Sequence, residues 1–140
     1  MNVAVIWTHE RRMRLLRPLL VARVSAGFPS PADDLVEGRI DLNRHLVRHP
    51  AATFYMRVIG DSMSDDIREG DILVVDRACE AEDGDIVVVR LANDFTVKRL
   101  SLSDGRLRLL STNEAYAPIE VTEEADFEVW GKVVWSIRGH

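Results

Sequence analysis

The stretch Thr53-Phe-Tyr-Met-Arg-Val-Ile-Gly-Asp-Ser-Met63 decides the class of fold and raises the first chemical question. Residues 53–59 have strand composition, with aromatic and β-branched side chains. Gly60 stops the run, and an Asp-Ser pair opens the next turn. A serine on such a corner presents its hydroxyl at the rim of a core, beside backbone N–H groups. Ser62 is therefore a candidate nucleophile.

Outward from this corner the pattern is that of strands. Residues 71–76, 85–91, 94–100, 106–111 and 127–137 are rich in Val and Ile and separated by Gly, Asp and Asn. Asn93-Asp94 lies where two alternating runs meet, which predicts a hairpin of 85–91 with 94–100. The expected fold is mostly β, a small folded-over antiparallel sheet or partial barrel. Asp41 to His49 predicts a short helix capped by Asp41 and stopped before Pro50. Residues 63–68 can turn once, with Gly70 left-handed at the end, which puts Ser62 near a helix N-terminus where negative charge is favoured. Upstream, Met13, Leu15, Leu16, Leu19 and Leu20 suggest one or two helical turns interrupted by Pro18, and residues 1–24 read as a mobile arm. In Val24-Ser-Ala-Gly-Phe-Pro-Ser-Pro31 the prolines favour extended backbone. Ala26-Gly27 at its centre suits either a plain linker or a strand gripped in a protease cleft.

The bulk properties narrow the partners. The 140 residues suffice for one domain with an arm, and 46% hydrophobic with 29% charged residues is ordinary for a globular chain. Cys79 is the single cysteine, which excludes a disulfide and a thiolate metal cluster and fits a reducing cytoplasm. The net charge of −5 is uneven: residues 1–26 carry five arginines against Glu10, net +4, and the remainder carries 13 basic and 22 acidic side chains, net −9. A basic arm can lie on an acidic body. That body is the wrong sign for direct, specific duplex DNA binding. The apolar runs are too short to span a membrane, and Val3-Ala-Val-Ile-Trp7 precedes the arginines, the reverse of a secretory signal, so a cytoplasmic location is expected.

A serine hydroxyl needs a base. His9, His45, His49 and His140 are available, but two flank a surface helix and two lie near the termini. Lysine is scarce, with Lys98 and Lys132 against 16 arginines. In Phe95-Thr-Val-Lys-Arg-Leu100, strand alternation puts Thr96, Lys98 and Leu100 on one side. A desolvated lysine has a lowered pKa. Reaching the range of a general base takes about 3–4 kcal/mol and a water-poor cleft. A lysine snorkelling from a strand edge fits the pattern equally well.

Gly60-Asp-Ser-Met63, Gly70-Asp71, Gly84-Asp85, Phe95-Thr-Val-Lys98 and Ala26-Gly27 together give the chain a family likeness. From about Val24 to Trp135 it resembles the LexA/UmuD family of self-cleaving Ser-Lys peptidases. Gly27-Phe-Pro-Ser-Pro-Ala32, Arg39-Ile-Asp-Leu-Asn43 and Asn113-Glu-Ala-Tyr-Ala-Pro-Ile119 look like its UmuD branch, the SOS mutagenesis proteins. The resemblance implies Ser62 as nucleophile, Lys98 as general base, the backbone N–H groups of Asp61 and Ser62 as oxyanion hole, and Ala26-Gly27 as the scissile bond. It implies a removable arm, 1–26, on a peptidase-like β domain, 27–140, with no cofactor and no metal. The partners it implies are a second copy in a homodimer, a RecA filament on single-stranded DNA that promotes cleavage, and a UmuC-type Y-family polymerase for translesion synthesis. A LexA-like repressor and a non-catalytic polymerase-binding module are the alternatives. The repressor needs a helix-turn-helix before the cleavage site, for which residues 1–26 are too few.

Overall fold

The computed structural model describes residues 2–8, 16–20, 36–61, 63 and 66–140. In chain order the strands are β1 (Asn2–Thr8), β2 (Leu16–Leu20), β3 (Val36–Asp41), β4 (Thr53–Ile59), β5 (Ile72–Asp76), β6 (Ile86–Leu91), β7 (Asp94–Ser103), β8 (Arg106–Leu110), β9 (Ile119–Glu120) and β10 (Phe127–Ile137). An α-helix, α1 (Leu42–Leu46), follows β3, and a 3-10 turn at Pro50–Ala52 leads into β4. The chain divides into two compact units, Met1–His9 with His49–His140, and Glu10–Arg48.

In the smaller unit β2 pairs antiparallel with β3, Pro18 opposite Arg39. This corrects the helical reading at Leu16, Leu19 and Leu20, while Met13 and Leu15 lie outside the described residues. Proline cannot donate to a helix and clashes with its preceding turn, whereas a two-stranded ribbon leaves alternate N–H groups unpaired in any case. Asp41 ends β3 and caps α1 as expected, its carboxylate accepting from the Asn43 N–H at 3.1 Å. The helix stops at Leu46 rather than His49. Ala26 and Gly27 lie outside the described residues.

In the larger unit eight strands form one sheet in the order β1-β4-β5-β10-β6-β7-β8-β9, every described pairing antiparallel. Asn2 also pairs with Thr96, so the sheet curls until β1 meets β7. This is the folded-over sheet that the sequence predicts, and β4 and β10 have the predicted bounds. Strand β1 is a correction, since these residues read as part of a mobile arm. Val3-Ala-Val-Ile-Trp7 is apolar and partly β-branched, and the open edges of β4 and β7 offer its backbone a ladder.

The core forms around β6. Val87, Val88 and Val89 are all fully buried, so this strand has apolar neighbours on both faces. Val88 packs with Met56, Val58, Met63, Ile67, Leu73, Val75 and Val97. Val87 and Val89 pack with Leu100 and Leu109 on the other side. Sheet closure is tight at β10, where a Cβ on Gly131 would come within 2.6 Å of Val75 Cγ1.

The turn after β4 is anchored at both ends. Gly60 and Gly70 have φ of 91° and 89°, a region closed to most side chains. Between them Ile67 N–H donates to the Met63 carbonyl at 2.7 Å, and buried Met63 and Ile67 hold this single turn in the core. Asp71 clasps the exit. Its carboxylate accepts from Arg138 Nε at 2.9 Å and Nη2 at 2.7 Å, and from the Arg68 N–H at 2.9 Å. The Arg138 hydrogen bonds, which outweigh the opposing effect of burial, hold the Asp71 carboxyl below its ordinary value.

Asp71→Asn is expected to lower stability by about 1–3 kcal/mol, measured by urea unfolding. Because the folded carboxyl titrates below its unfolded value, this contribution is present above the ordinary carboxylate range and is lost as pH falls through the folded pKa. The stability of the wild type should therefore drop more steeply in acid than that of Asp71→Asn. Gly131→Val is expected to cost about 1–3 kcal/mol by overpacking against Val75, on the same assay.

Candidate active site

Strand β7 places Lys98 by alternation. Val97 enters the core around Val88, and Leu100 enters the one around Val87 and Val89. Lys98 shares the Leu100 side, as the sequence predicts, and is only 6% exposed. Burial disfavours the ammonium and lowers the pKa of Lys98 from its ordinary 10.5. Nζ donates to Ser111 Oγ at 2.7 Å and lies 5.6 Å from the centre of the Tyr116 ring, and a hydrogen bond with the chain's α-amino group opposes the effect of burial. Among the described residues no carboxylate pairs with it. The other lysine differs, since Lys132 Nζ meets the Asp85 carboxylate at 3.2 Å.

Ser62 lies outside the described residues, but both its neighbours are described. Met63 is buried and Asp61 is exposed. Asp61 is gripped twice by the segment that follows β8. The Tyr116 hydroxyl donates to its Oδ1 at 2.6 Å, and Asn113 Nδ2 donates to its carbonyl at 3.1 Å. The hydrogen bond to Asp61 raises the Tyr116 phenol above its ordinary value, so Tyr116 remains a donor. Asn113 also shapes its own segment by accepting from the Ala115 N–H at 3.0 Å.

Two features bring the Lys98 strand and the Ser62 corner together. Asn2 of β1 stands opposite both Ile59, three residues before Ser62, and Thr96, two before Lys98. Two strand spacings put these flanking backbones about 10 Å apart. Tyr116 then touches both sides, Lys98 through its ring and Asp61 through its hydroxyl. On the opposite face of β7, Arg99 ties the strand to the turn after the corner, donating to Asp66 at 2.8 Å and to the Gly84 carbonyl at 2.7 Å.

The described histidines are not gathered here. His49 Nδ1 bonds Asp76 Oδ2 at 2.6 Å, and Thr53 Oγ1 donates to the His49 carbonyl at 2.7 Å, bracing the entry to β4. His45 and His140 are exposed, and His9 lies outside the described residues. His49, Asp76 and Cys79 bring donor atoms within 4.8 Å of one another, the described group that could hold a metal. Asp76 already bonds to both other members, and it accepts from the Ala78 N–H at 2.8 Å. A cleft of about 660 Å³ is lined by Arg106, Leu107, Glu120, Val121 and Phe127 among others, with neither Lys98 nor Asp61. No helix of the described residues is long and apolar enough to cross a membrane.

Ser111 is the contact that reading the residues missed, while Asn113 and Tyr116 entered only through family likeness. A usable signal existed in Asp104-Gly105. Both residues have positive φ, 54° and 69°, the two-residue hairpin turn that fixes register. The pairing runs from Ser103↔Arg106 to Arg99↔Leu110, so the next step sets residue 111 against Lys98.

A lysine with a lowered folded pKa binds its proton less tightly than in the unfolded chain. At neutral pH its buried charge therefore costs stability, and the cost fades as pH rises from the folded to the unfolded value. Lys98→Met, similar in length and apolar, is expected to raise Tm at pH 7 by a few degrees, with a smaller gain near pH 10. Differential scanning fluorimetry at the two pH values checks this.

The Peptidase S24-like family matches residues 18–134. The chain is 47% identical over 113 residues to protein SamA of Salmonella typhimurium, covering 80% of each chain. It is 42% identical over 125 residues to protein MucA of Escherichia coli, covering 88% of this chain and 85% of the relative. It is also 43% identical over 118 residues to the LexA repressor of Xylella fastidiosa, covering 84% of this chain and 56% of that protein. Most of this chain, the strand that carries Lys98 and the Ser62 corner included, is thus shared with one set of relatives, and the chain belongs to the Peptidase S24-like family.

Proposed function

We propose that the protein is a self-cleaving serine peptidase of the SOS response, with Ser62 as nucleophile and Lys98 as general base. The observation that supports this reading is Lys98 itself, a buried lysine bonded to a hydroxyl and sharing the Tyr116 side chain with Asp61, the residue before Ser62. Such a lysine can be neutral at a pH where a solvated one is charged. Neutral Lys98 takes the Ser62 proton as Ser62 attacks the Ala26 carbonyl. The backbone N–H groups of Asp61 and Ser62 hold the developing oxyanion. Protonated Lys98 then gives its proton to the leaving Gly27 amine, and water, deprotonated by the same lysine, releases the acyl group from Ser62.

Cleavage separates residues 1–26 from 27–140. The trimmed homodimer then supports a UmuC-type polymerase in copying past DNA lesions, and a RecA filament on single-stranded DNA promotes the cut. The small residues Ala26 and Gly27 allow close approach of the backbone to the nucleophile. The match to a LexA repressor favours a second reading, a DNA-binding switch, which a specific operator shift by the intact chain would support.

Purified protein incubated from pH 7 to 10.5 is expected to break after Ala26, detected by intact mass. The rate should rise with pH as Lys98 loses its proton and level off below the ordinary lysine value of 10.5. Ser62→Ala and Lys98→Ala should each abolish the cut. A wild type that stays whole throughout, or Ser62→Ala cutting at the wild-type rate, would overturn the peptidase reading.

A further inference from the structure

We propose that Ser111 is a positioning residue for Lys98, its hydroxyl oxygen fixing the direction in which the neutral amine presents its lone pair. The catalytic meaning of this rests on the Ser-Lys reading above, although the contact does not. Lys98 Nζ donates to Ser111 Oγ at 2.7 Å, a short bond for a nitrogen donor. A neutral amine has two N–H bonds and one lone pair, and rotates about the end of a flexible four-carbon stem. Anchoring one N–H on Ser111 removes most of that rotation. The Tyr116 ring, 5.6 Å from Nζ, occupies another side. The directions left to the lone pair are correspondingly few, and a base works only when its lone pair meets the proton it abstracts.

The fold also ties Ser111 to the other half of the site. It follows β8, whose pairing with β7 reaches Arg99↔Leu110 immediately before it. Two and five residues later, Asn113 and Tyr116 bond to Asp61, next to the candidate nucleophile. The six residues 111–116 thus link the lysine to the corner, and Ser111 is the end that grips the base. The titratable groups facing Lys98 are the Tyr116 phenol, through it the Asp61 carboxylate, and the chain's α-amino group, whose hydrogen bond opposes the effect of burial. Its strand partner Val87 and its same-face neighbours Thr96 and Leu100 carry none.

The contact has two opposed effects on rate, which makes it testable. As an acceptor, Ser111 favours the ammonium and so raises the pH at which Lys98 becomes neutral. As an anchor, it aims the amine once neutral. The full chain is compared as wild type, Ser111→Ala and Ser111→Thr, following cleavage after Ala26 from pH 6 to 10.5. The ¹³Cε resonance of Lys98 is titrated in a Ser62→Ala background, with Lys132 as internal reference. Ser111→Ala is expected to lower the plateau rate about 10- to 100-fold and to move both the rate midpoint and the Lys98 midpoint to lower pH. Lys132 should stay unchanged, and Ser111→Thr should restore all three. A wild-type plateau in Ser111→Ala, or a loss of rate with both midpoints unmoved, overturns the proposal and leaves the peptidase reading intact. Cleavage that survives Ser62→Ala but not Ser111→Ala makes Ser111 the nucleophile and overturns both. A wild type that never cuts refutes the Ser-Lys reading, and the positioning role with it.

Discussion

The β6–β7 hairpin is buried on both faces, and the rest of the larger unit is arranged to satisfy that constraint. Val87, Val88 and Val89 leave β6 no face for water, so apolar clusters must form on either side. One cluster draws in β4, β5 and the Met63–Ile67 turn. The other draws in β8 and the start of β10. Each fully buried valine is worth about 1.5–3 kcal/mol of transfer free energy, so the sheet curls around this hairpin rather than lying open.

Lys98 is the one ionisable residue this arrangement buries on β7, and that is costly. Its neighbours at 96 and 100 are as enclosed as it is, so the side chain cannot move its charge into bulk water without leaving the site. Among the described residues the fold answers with an acceptor, Ser111, and an aromatic face, Tyr116, rather than with a carboxylate. A carboxylate would hold the lysine charged. A hydroxyl acceptor takes one of its N–H groups while leaving deprotonation within reach. The contrast with Lys132, held by Asp85, shows two lysines of one chain given opposite electrostatic surroundings.

The corner after β4 is fixed from several directions at once. Gly60 turns the chain out of the strand, Met63 and Ile67 bury the far side of the turn, and Asp71 with Arg138 closes it. Asn113 and Tyr116 hold Asp61 from outside. These contacts come from β4, the β4–β5 turn, the segment after β8 and the residue that follows β10. The position next to Ser62 is therefore a product of the whole sheet rather than of its local turn.

Much of this was legible in the chain itself. Alternation and turn residues located β4 to β8 and β10 to within a residue or two at most ends, because side-chain period and backbone restriction are local properties. The same alternation put Lys98 on the Leu100 side of β7, and the capping carboxylate of Asp41 announced α1. What local patterning could not decide was pairing. Whether Val3-Ala-Val-Ile-Trp7 dangles or docks depends on edges supplied by β4 and β7, and whether Leu16–Leu20 coils or extends depends on β3 lying beside it. Lys98 could equally have snorkelled from a strand edge, and only its enclosure between β6 and the 111–116 segment resolved that alternative. Ser111, Asn113 and Tyr116 became part of the site through register and chain reversal, which bring together residues far apart in sequence. Composition and spacing thus determined most of the elements and raised Ser62 and Lys98 as candidates, while tertiary pairing decided which groups surround Lys98, because hydrogen bonding and desolvation depend on neighbours in space.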